Sequence, residues 1–156
     1  MRRHTDAERA LAWNESAIPR QLLVLIGESK MLSTKDAIAT VAVKDLKAAA
    51  VFYEGALGFE KTEVIDEELI VYRSGNGVFN VYRSKYAGTN QATALSWVVG
   101  DELESIVRML KTKGVKFEHY DHMPGMKRNG DIHSGGSMKV AWFKDPDGNI
   151  LNIVSG

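Results

Sequence analysis

The sequence predicts an α+β fold in which two tandem β-α-β-β-β units form a cupped, barrel-like mixed sheet. Three observations predict it. A strand-Asp-helix-Gly pattern occurs twice at an offset of 56 residues, and a turn-strand pattern with a central Asn occurs twice at an offset of 72. Between these landmarks each half has room for two further strands, so one supersecondary unit is present in duplicate.

Val41-Ala42-Val43-Lys44-Asp45 leads into Leu46, Ala49, Ala50, Phe52 and Tyr53, which share one face at helical spacing. Asp45 is placed to accept from the free N–H groups of the first turn, and Gly58 to take the left-handed conformation that ends a helix. Strands are expected over 61–65 and 69–73, and the turn Gly75-Asn76-Gly77 opens a last strand through Asn80. The second copy starts at Trp97-Val98-Val99-Gly100-Asp101, puts Leu103, Ile106, Val107 and Leu110 on its helix face, and ends at Gly114. Asp45 to Gly58 and Asp101 to Gly114 both span 13 positions, so Asp101 is expected to cap as Asp45 does. Strands over 115–120 and 138–143 and a final strand after Asp147-Gly148-Asn149 complete the unit. The 16 extra residues of the second copy are assigned to 121–137, read as an inserted loop and a candidate lid.

Residues 36–155 are therefore expected to form a single domain of two modules, 36–84 and 93–155. Residues 1–35 are an N-terminal extension with two readings. Thr5-Asp6-Ala7-Glu8 is a capping-box pattern for a helix over 5–15, and 21–26 reads as a short strand after Pro19. The other reading is a start assigned too far upstream.

Hydrophobic residues make up 44% of the 156 and charged residues 26%, as in ordinary soluble domains. Lys plus Arg and Asp plus Glu both number 20, so charge gives no reason to expect nucleic acid or an anionic membrane as partner. Without cysteine there is no disulfide, thiolate metal site or cysteine nucleophile, and a cytoplasmic location is expected. The longest apolar run, Leu22 to Ile26, is far short of the ~20 residues of a bilayer span, and its acidic, Pro-containing flank is unlike a secretory signal.

Val43, Asp45, Leu46, Phe52, Tyr53, Leu57, Gly58 and Phe59, followed by Trp142-Phe143-Lys144-Asp145-Pro146-Asp147-Gly148-Asn149, resemble the glyoxalase, bleomycin-resistance and extradiol-dioxygenase (vicinal oxygen chelate) superfamily. The resemblance covers about residues 36–155 and implies the glyoxalase/bleomycin-resistance fold. For glyoxalase-like members it also implies a divalent metal held by His, Glu or Gln from four strands. The corresponding positions here are Ile38, Ala94, Asn80 and Asn152, two hydrocarbons and two amides. Segments 38–43, 78–83, 94–99 and 150–155 contain no His, Asp, Glu or Cys, so neither the usual metal nor any other cofactor is expected. What the resemblance then implies is the metal-free branch: a cup that encloses a small organic molecule, as in bleomycin-resistance-like binding in a homodimer cleft.

Strand alternation puts Thr40, Ala42, Asn80, Tyr82, Ser96, Val98 and Asn152 on the side of the sheet that bears the ligand positions. The expected ligand-binding residues are Thr40, Asn80, Tyr82, Ser96, Trp142 and Asn152; Trp97 has the opposite parity and faces the helix. The inserted stretch holds His122, Met123, Met126, Lys127, Arg128, Asp131 and His133, with His119 just before it. His119, His122 and His133 invite a metal-triad reading, but positions three apart in a strand face opposite ways. His122 and His133 are candidates for acid or base work. The leading expectation is metal-independent binding of a small organic molecule for sequestration or resistance. The alternatives are a glyoxalase-like lyase or isomerase that uses a loop histidine or a non-standard metal, and a structural protein whose own side chains fill the cup.

Overall fold

Val41 and Val43 are buried while Thr40 between the chain start and them is exposed, and this alternation makes β1 (Ala39–Val43) a strand with one face in a core. The computed structural model describes residues 31–156. The helix and strand expected over 5–15 and 21–26 lie outside the described residues. The chain divides into two compact units, 1–37 and 38–156. Of the first, the described part contains a single 3₁₀ turn, Met31–Thr34. All that follows concerns the second.

Asp45 caps α1 (Leu46–Ala50) as expected: Oδ1 accepts from Lys47 N–H at 2.7 Å and Ala48 N–H at 3.2 Å. The helix continues through Val51–Ala56 as a wider π turn, with Leu57 N–H donating to Phe52 O at 3.0 Å. Gly58, at φ 77°, ends it. β2 (Glu60–Ile65), β3 (Leu69–Ser74) and β4 (Gly77–Arg83) follow antiparallel to one another, and β4 pairs parallel with β1, giving the order β1-β4-β3-β2.

The second module repeats this with one addition. β5 (Thr93–Val98) pairs parallel with β10 (Ile150–Val154), and β10 pairs antiparallel with β9 (Met138–Lys144). The far edge of β9 carries β6 (Phe117–Glu118) and, further along, β8 (Ile132–Gly135), which is hairpinned to β7 (Lys127–Asn129). The inserted stretch is thus in large part a hairpin attached to the sheet edge. Its two-residue loop, Gly130-Asp131, starts on Gly130 at φ 61°, which suits a tight hairpin turn.

Two local expectations are corrected. Only Phe117–Glu118 of 115–120 is paired. Asp101 does not cap α2 (Leu103–Thr112): Gly100–Glu102 form a 3₁₀ turn that feeds the helix, and Glu102 stands at the cap with no side-chain bond. The glycine end is as expected, with Gly114 at φ 84°.

The α+β repeat fold is present, and its two sheets stay separate rather than closing into a barrel. One hydrophobic core joins the modules on their helix sides, with Tyr53, Tyr72, Phe79 and Val81 from the first and Leu103, Val107, Phe143 and Leu151 from the second. Trp97 belongs to this side, its ring 5.4 Å from Phe59 and its Nε1–H donating to Ser74 Oγ at 3.1 Å. The Asp145-Pro146-Asp147-Gly148-Asn149 turn clamps the modules together. Asn149 Nδ2 donates to Ala42 O at 2.7 Å, and Lys44 N–H donates to Asp147 Oδ2 at 2.9 Å. That motif thus ties the two modules together.

Candidate ligand-binding faces

Because both sheets turn their helix sides to the shared core, their other faces point away from it. On the first sheet Thr40 pairs with Asn80 across β1 and β4, and Tyr82 lies beside Ala42 two pairs further on, on the same face. Thr40 and Tyr82 are exposed and Asn80 is half-buried. On the second sheet Ser96, Asn152 and Trp142 form one row across β5, β10 and β9. Thr40–Asn80 and Ser96–Asn152 are therefore equivalent pairs of the repeat. The six expected ligand residues fall into two groups of three, one on each sheet.

The second group is much the more enclosed. Trp142 and Asn152 are each 8% exposed, and His133 is 1% exposed. His133 is the cross-strand neighbour of Val140, on the face that carries Trp142. Its ring packs edge-on against Trp142 at 5.1 Å, and Tyr120 does the same from 5.3 Å. Tyr120 N–H donates to His133 Nε2 at 3.0 Å, so Nε2 is an acceptor and the ring proton sits on Nδ1. Burial holds the imidazole pKa below its ordinary value, with Asp121 opposing that shift, so the ring is neutral near pH 7. Three buried side-chain atoms here have no partner: Tyr120 Oη, His133 Nδ1 and Asn152 Oδ1.

The remaining loop groups are held elsewhere. Arg128 pairs with Asp121 and donates to Gly130 O at 3.0 Å. His119 Nε2 lies 2.9 Å from Asp131 Oδ1, while Lys111 Nζ holds Oδ2 at 2.6 Å and keeps that carboxyl below the usual carboxylate range. His122 is exposed in the turn after β6. The histidine triad is not assembled: among the described residues no three His, Cys, Asp or Glu side chains gather where they could share an ion.

The positions at which the resemblance implies a metal fit none. Ile38 is a half-exposed hydrocarbon just before β1, Ala94 is an exposed methyl on β5, and the two strand-centre groups are neutral amides. Divalent transition metals want imidazole, carboxylate or thiolate donors, which these four positions do not offer.

A concavity of about 770 Å³ lies elsewhere, at the start of α1, lined by Lys44, Lys47, Lys61 and Arg83 among others. It contains none of the expected ligand residues, and Lys61 and Arg83 are already paired with Glu54 and Glu68. An apolar hollow of about 190 Å³ opens on the helix side between Phe59, Trp97 and Leu110. Neither carries the polar constellation that surrounds Trp142.

Tyr120 is the contributor to that constellation that sequence reading did not single out. The only signal was alternation: Glu118 and Tyr120 share a parity, and Glu118 pairs with Trp142.

The chain matches the family model "Glyoxalase/Bleomycin resistance protein/Dioxygenase superfamily" over residues 36–153. It belongs to that superfamily. Among solved structures it is similar to an integron cassette protein from the mobile metagenome of a Halifax Harbour sewage outfall, at 21% identity and TM-score 0.58, covering 78% of this chain and 99% of that one. A fosfomycin resistance protein from Mesorhizobium loti matches at 10% identity and TM-score 0.58, covering 79% and 92%. A lactoylglutathione lyase from Agrobacterium tumefaciens matches at 15% identity and TM-score 0.57, covering 78% and 92%. These likenesses are of fold. A comparison with curated protein sequences finds no match. No helix among the described residues is long and apolar enough to cross a membrane.

Proposed function

We propose that this chain binds a small organic molecule without a metal, for sequestration or resistance, between the first-sheet face of one copy and the second-sheet face of another. The observation that carries the reading is the pairing of equivalent polar couples, Thr40–Asn80 and Ser96–Asn152, on faces that point away from the core and bear no metal-donor set. Tyr82 and Val98 supply apolar surface beside them. A superfamily that includes proteins named for fosfomycin resistance and lactoylglutathione lyase makes a small organic ligand the natural occupant.

The geometry of His133 speaks against that residue as the base of the lyase or isomerase alternative. Its Nε2 is engaged by Tyr120 N–H and its Nδ1 carries the proton, so it presents a donor and not a base.

The test is a broad small-molecule screen by thermal shift and amide NMR on metal-free full-length protein. Ligands that raise the melting temperature should move signals of Thr40, Asn80, Ser96 and Asn152. A screen that stabilises nothing, alongside turnover of a glyoxalase-type substrate that needs added metal, overturns the reading.

A further inference from the structure

We infer that the apolar hollow between Phe59, Trp97 and Leu110 is a binding site in its own right, for a small uncharged hydrocarbon such as a single substituted benzene ring. It goes beyond the reading above and does not depend on it. The hollow lies on the helix side of the second sheet, lined by Trp97 and Ile153, whose strand parity is opposite to that of Ser96 and Asn152.

The space there is about 190 Å³. Phe59 of the first module closes against Trp97, Ile106, Leu110 and Phe143 of the second, and every lining residue is apolar. Leu110 and Phe143 are buried and form the floor, while Phe59 and Ile106 are half-buried at the rim, so the hollow is reached from solvent. The one polar side-chain group among the lining residues, the Trp97 indole N–H, is already used by Ser74 Oγ at 3.1 Å. A hydroxyl, amide or charge on the ligand therefore meets no side-chain partner, and entering would cost it its bonds to water.

Protein interiors leave few gaps larger than a water molecule, because neighbours relax to fill them. Here the walls are held apart. Trp97 is fixed by its bond to Ser74 and by the Phe59 and Phe79 rings, whose centroids lie 5.4 Å and 6.2 Å from its own. Phe59 is fixed in turn by Phe79 at 5.0 Å. A preformed apolar space spares a ligand the ordering that binding otherwise costs.

Volume limits the occupant. An apolar cavity of about 150 Å³ takes benzene, whereas sites for drug-sized molecules measure about 300–1,000 Å³. The hollow lies just above the first figure and below the second range. A protein partner would need about 800 Å² on each side, far more than a space for one ring supplies.

The test is NMR on isotopically labelled full-length protein with toluene, against phenol and benzoate as polar and charged molecules of similar size. Toluene should shift the Trp97 indole signal saturably and give nuclear Overhauser contacts to the Leu110 and Ile153 methyls, with phenol and benzoate at least tenfold weaker. Ile106→Phe, which puts a ring into the hollow from α2, should weaken toluene at least tenfold with the melting temperature unchanged or higher. Val99→Phe fills it from the end of β5 and serves if Ile106→Phe does not fold. Controls that bind as well as toluene, or toluene bound undiminished in the filled variants, overturn the site. So do contacts in the free protein from residues 1–30 or a second copy to the Leu110 and Ile153 methyls, because the hollow is then already occupied. Toluene that contacts Tyr82 or Val98 instead removes the hollow and leaves the sheet-face reading standing.

Discussion

The Tyr53 hydroxyl donates to Asp145 Oδ2 across 3.0 Å, joining the first module's helix to the second module's last turn inside the core. The same carboxylate takes Asn149 Nδ2 at 2.7 Å on Oδ2, and the N–H groups of Asp147 and Asn149 on Oδ1. Four donors on one buried carboxylate, of which Tyr53 crosses from the first module, make this a buried polar tie between the modules. Tyr53→Phe removes one charge-assisted hydrogen bond and should lower unfolding free energy by about 1.5–3 kcal/mol. Urea unfolding measures it, and an unchanged midpoint would show that the tie carries no load.

That tie has a pH signature. Burial first, and then Asp145, pushes the Tyr53 phenol pKa up; burial and Glu54 do the same for Tyr72. An acid whose pKa is raised on folding keeps its proton while the unfolded chain releases it. The stability these two groups contribute is complete below the unfolded tyrosine value of about 10 and falls as pH rises past it. Unfolding free energy should therefore drop steeply above about pH 10, with a shallower drop in Tyr53→Phe. A variant as steep as the parent would assign the alkaline loss to other groups.

These ties also show what was legible beforehand. Asp45, Gly58 and Gly114 were readable because caps and left-handed helix ends are local chemistry. Asp101 was not, because Gly100 at φ 54° starts a 3₁₀ turn one residue earlier and moves the cap. β7 is three polar residues, too short for periodicity to register, though Gly130-Asp131 carried a hairpin signal. The faces of Thr40, Asn80, Ser96 and Asn152 followed from strand parity. Tyr120 carried only a parity signal, because its partners, His133 and Trp142, are brought to it by the fold.

Gly88 stands against the same inter-module turn. It adopts φ 70°, and a Cβ there would lie 1.9 Å from Asp147 O. Backbone on one side and a left-handed conformation on the other leave Ala no inexpensive place. Gly88→Ala should destabilise by roughly 3 kcal/mol or more, combining strain with displacement of the clamp. Thermal unfolding checks it, with Gly75→Ala as control: its φ is 56° but no atom lies within 4 Å of the added methyl, so strain acts alone.

His133 should govern stability in mild acid. Burial lowers its folded-state pKa below the unfolded 6.5, and Asp121, Arg128 and His119 are the charged or titratable groups facing it. The unfolded chain therefore binds a proton first as pH falls. Its contribution is complete above about 6.5 and is lost as pH drops through the interval down to the folded value. Unfolding free energy should rise with pH as it approaches about 6.5 from below and level off above it, and His133→Phe should flatten that slope. Loss tied to Asp121 and Asp131, whose pKa values are lowered by Arg128 and Lys111, belongs to a lower window, below the ordinary carboxylate value. Equal slopes in both proteins would show that the imidazole is not the titrating group.

Among the described residues β1 and β5 each pair on one side only, which leaves both as sheet edges there, and Val98 on β5 is 74% exposed beside Ser96. Open edges invite pairing unless charge or cover prevents it, and neither strand carries a charged side chain. If a partner covers these edges and completes the ligand site, the purified chain is a dimer. Val98→Lys then places an ammonium in that contact while leaving the core, which Val98 does not enter, intact. Light scattering should show association weakened at least tenfold, about 1.4 kcal/mol, with an unchanged circular dichroism spectrum. Ligand binding on the composite faces should weaken with it. A parent protein that is monomeric yet still binds ligand at Thr40 and Asn80 would place the complete site within one chain and remove the need for a partner.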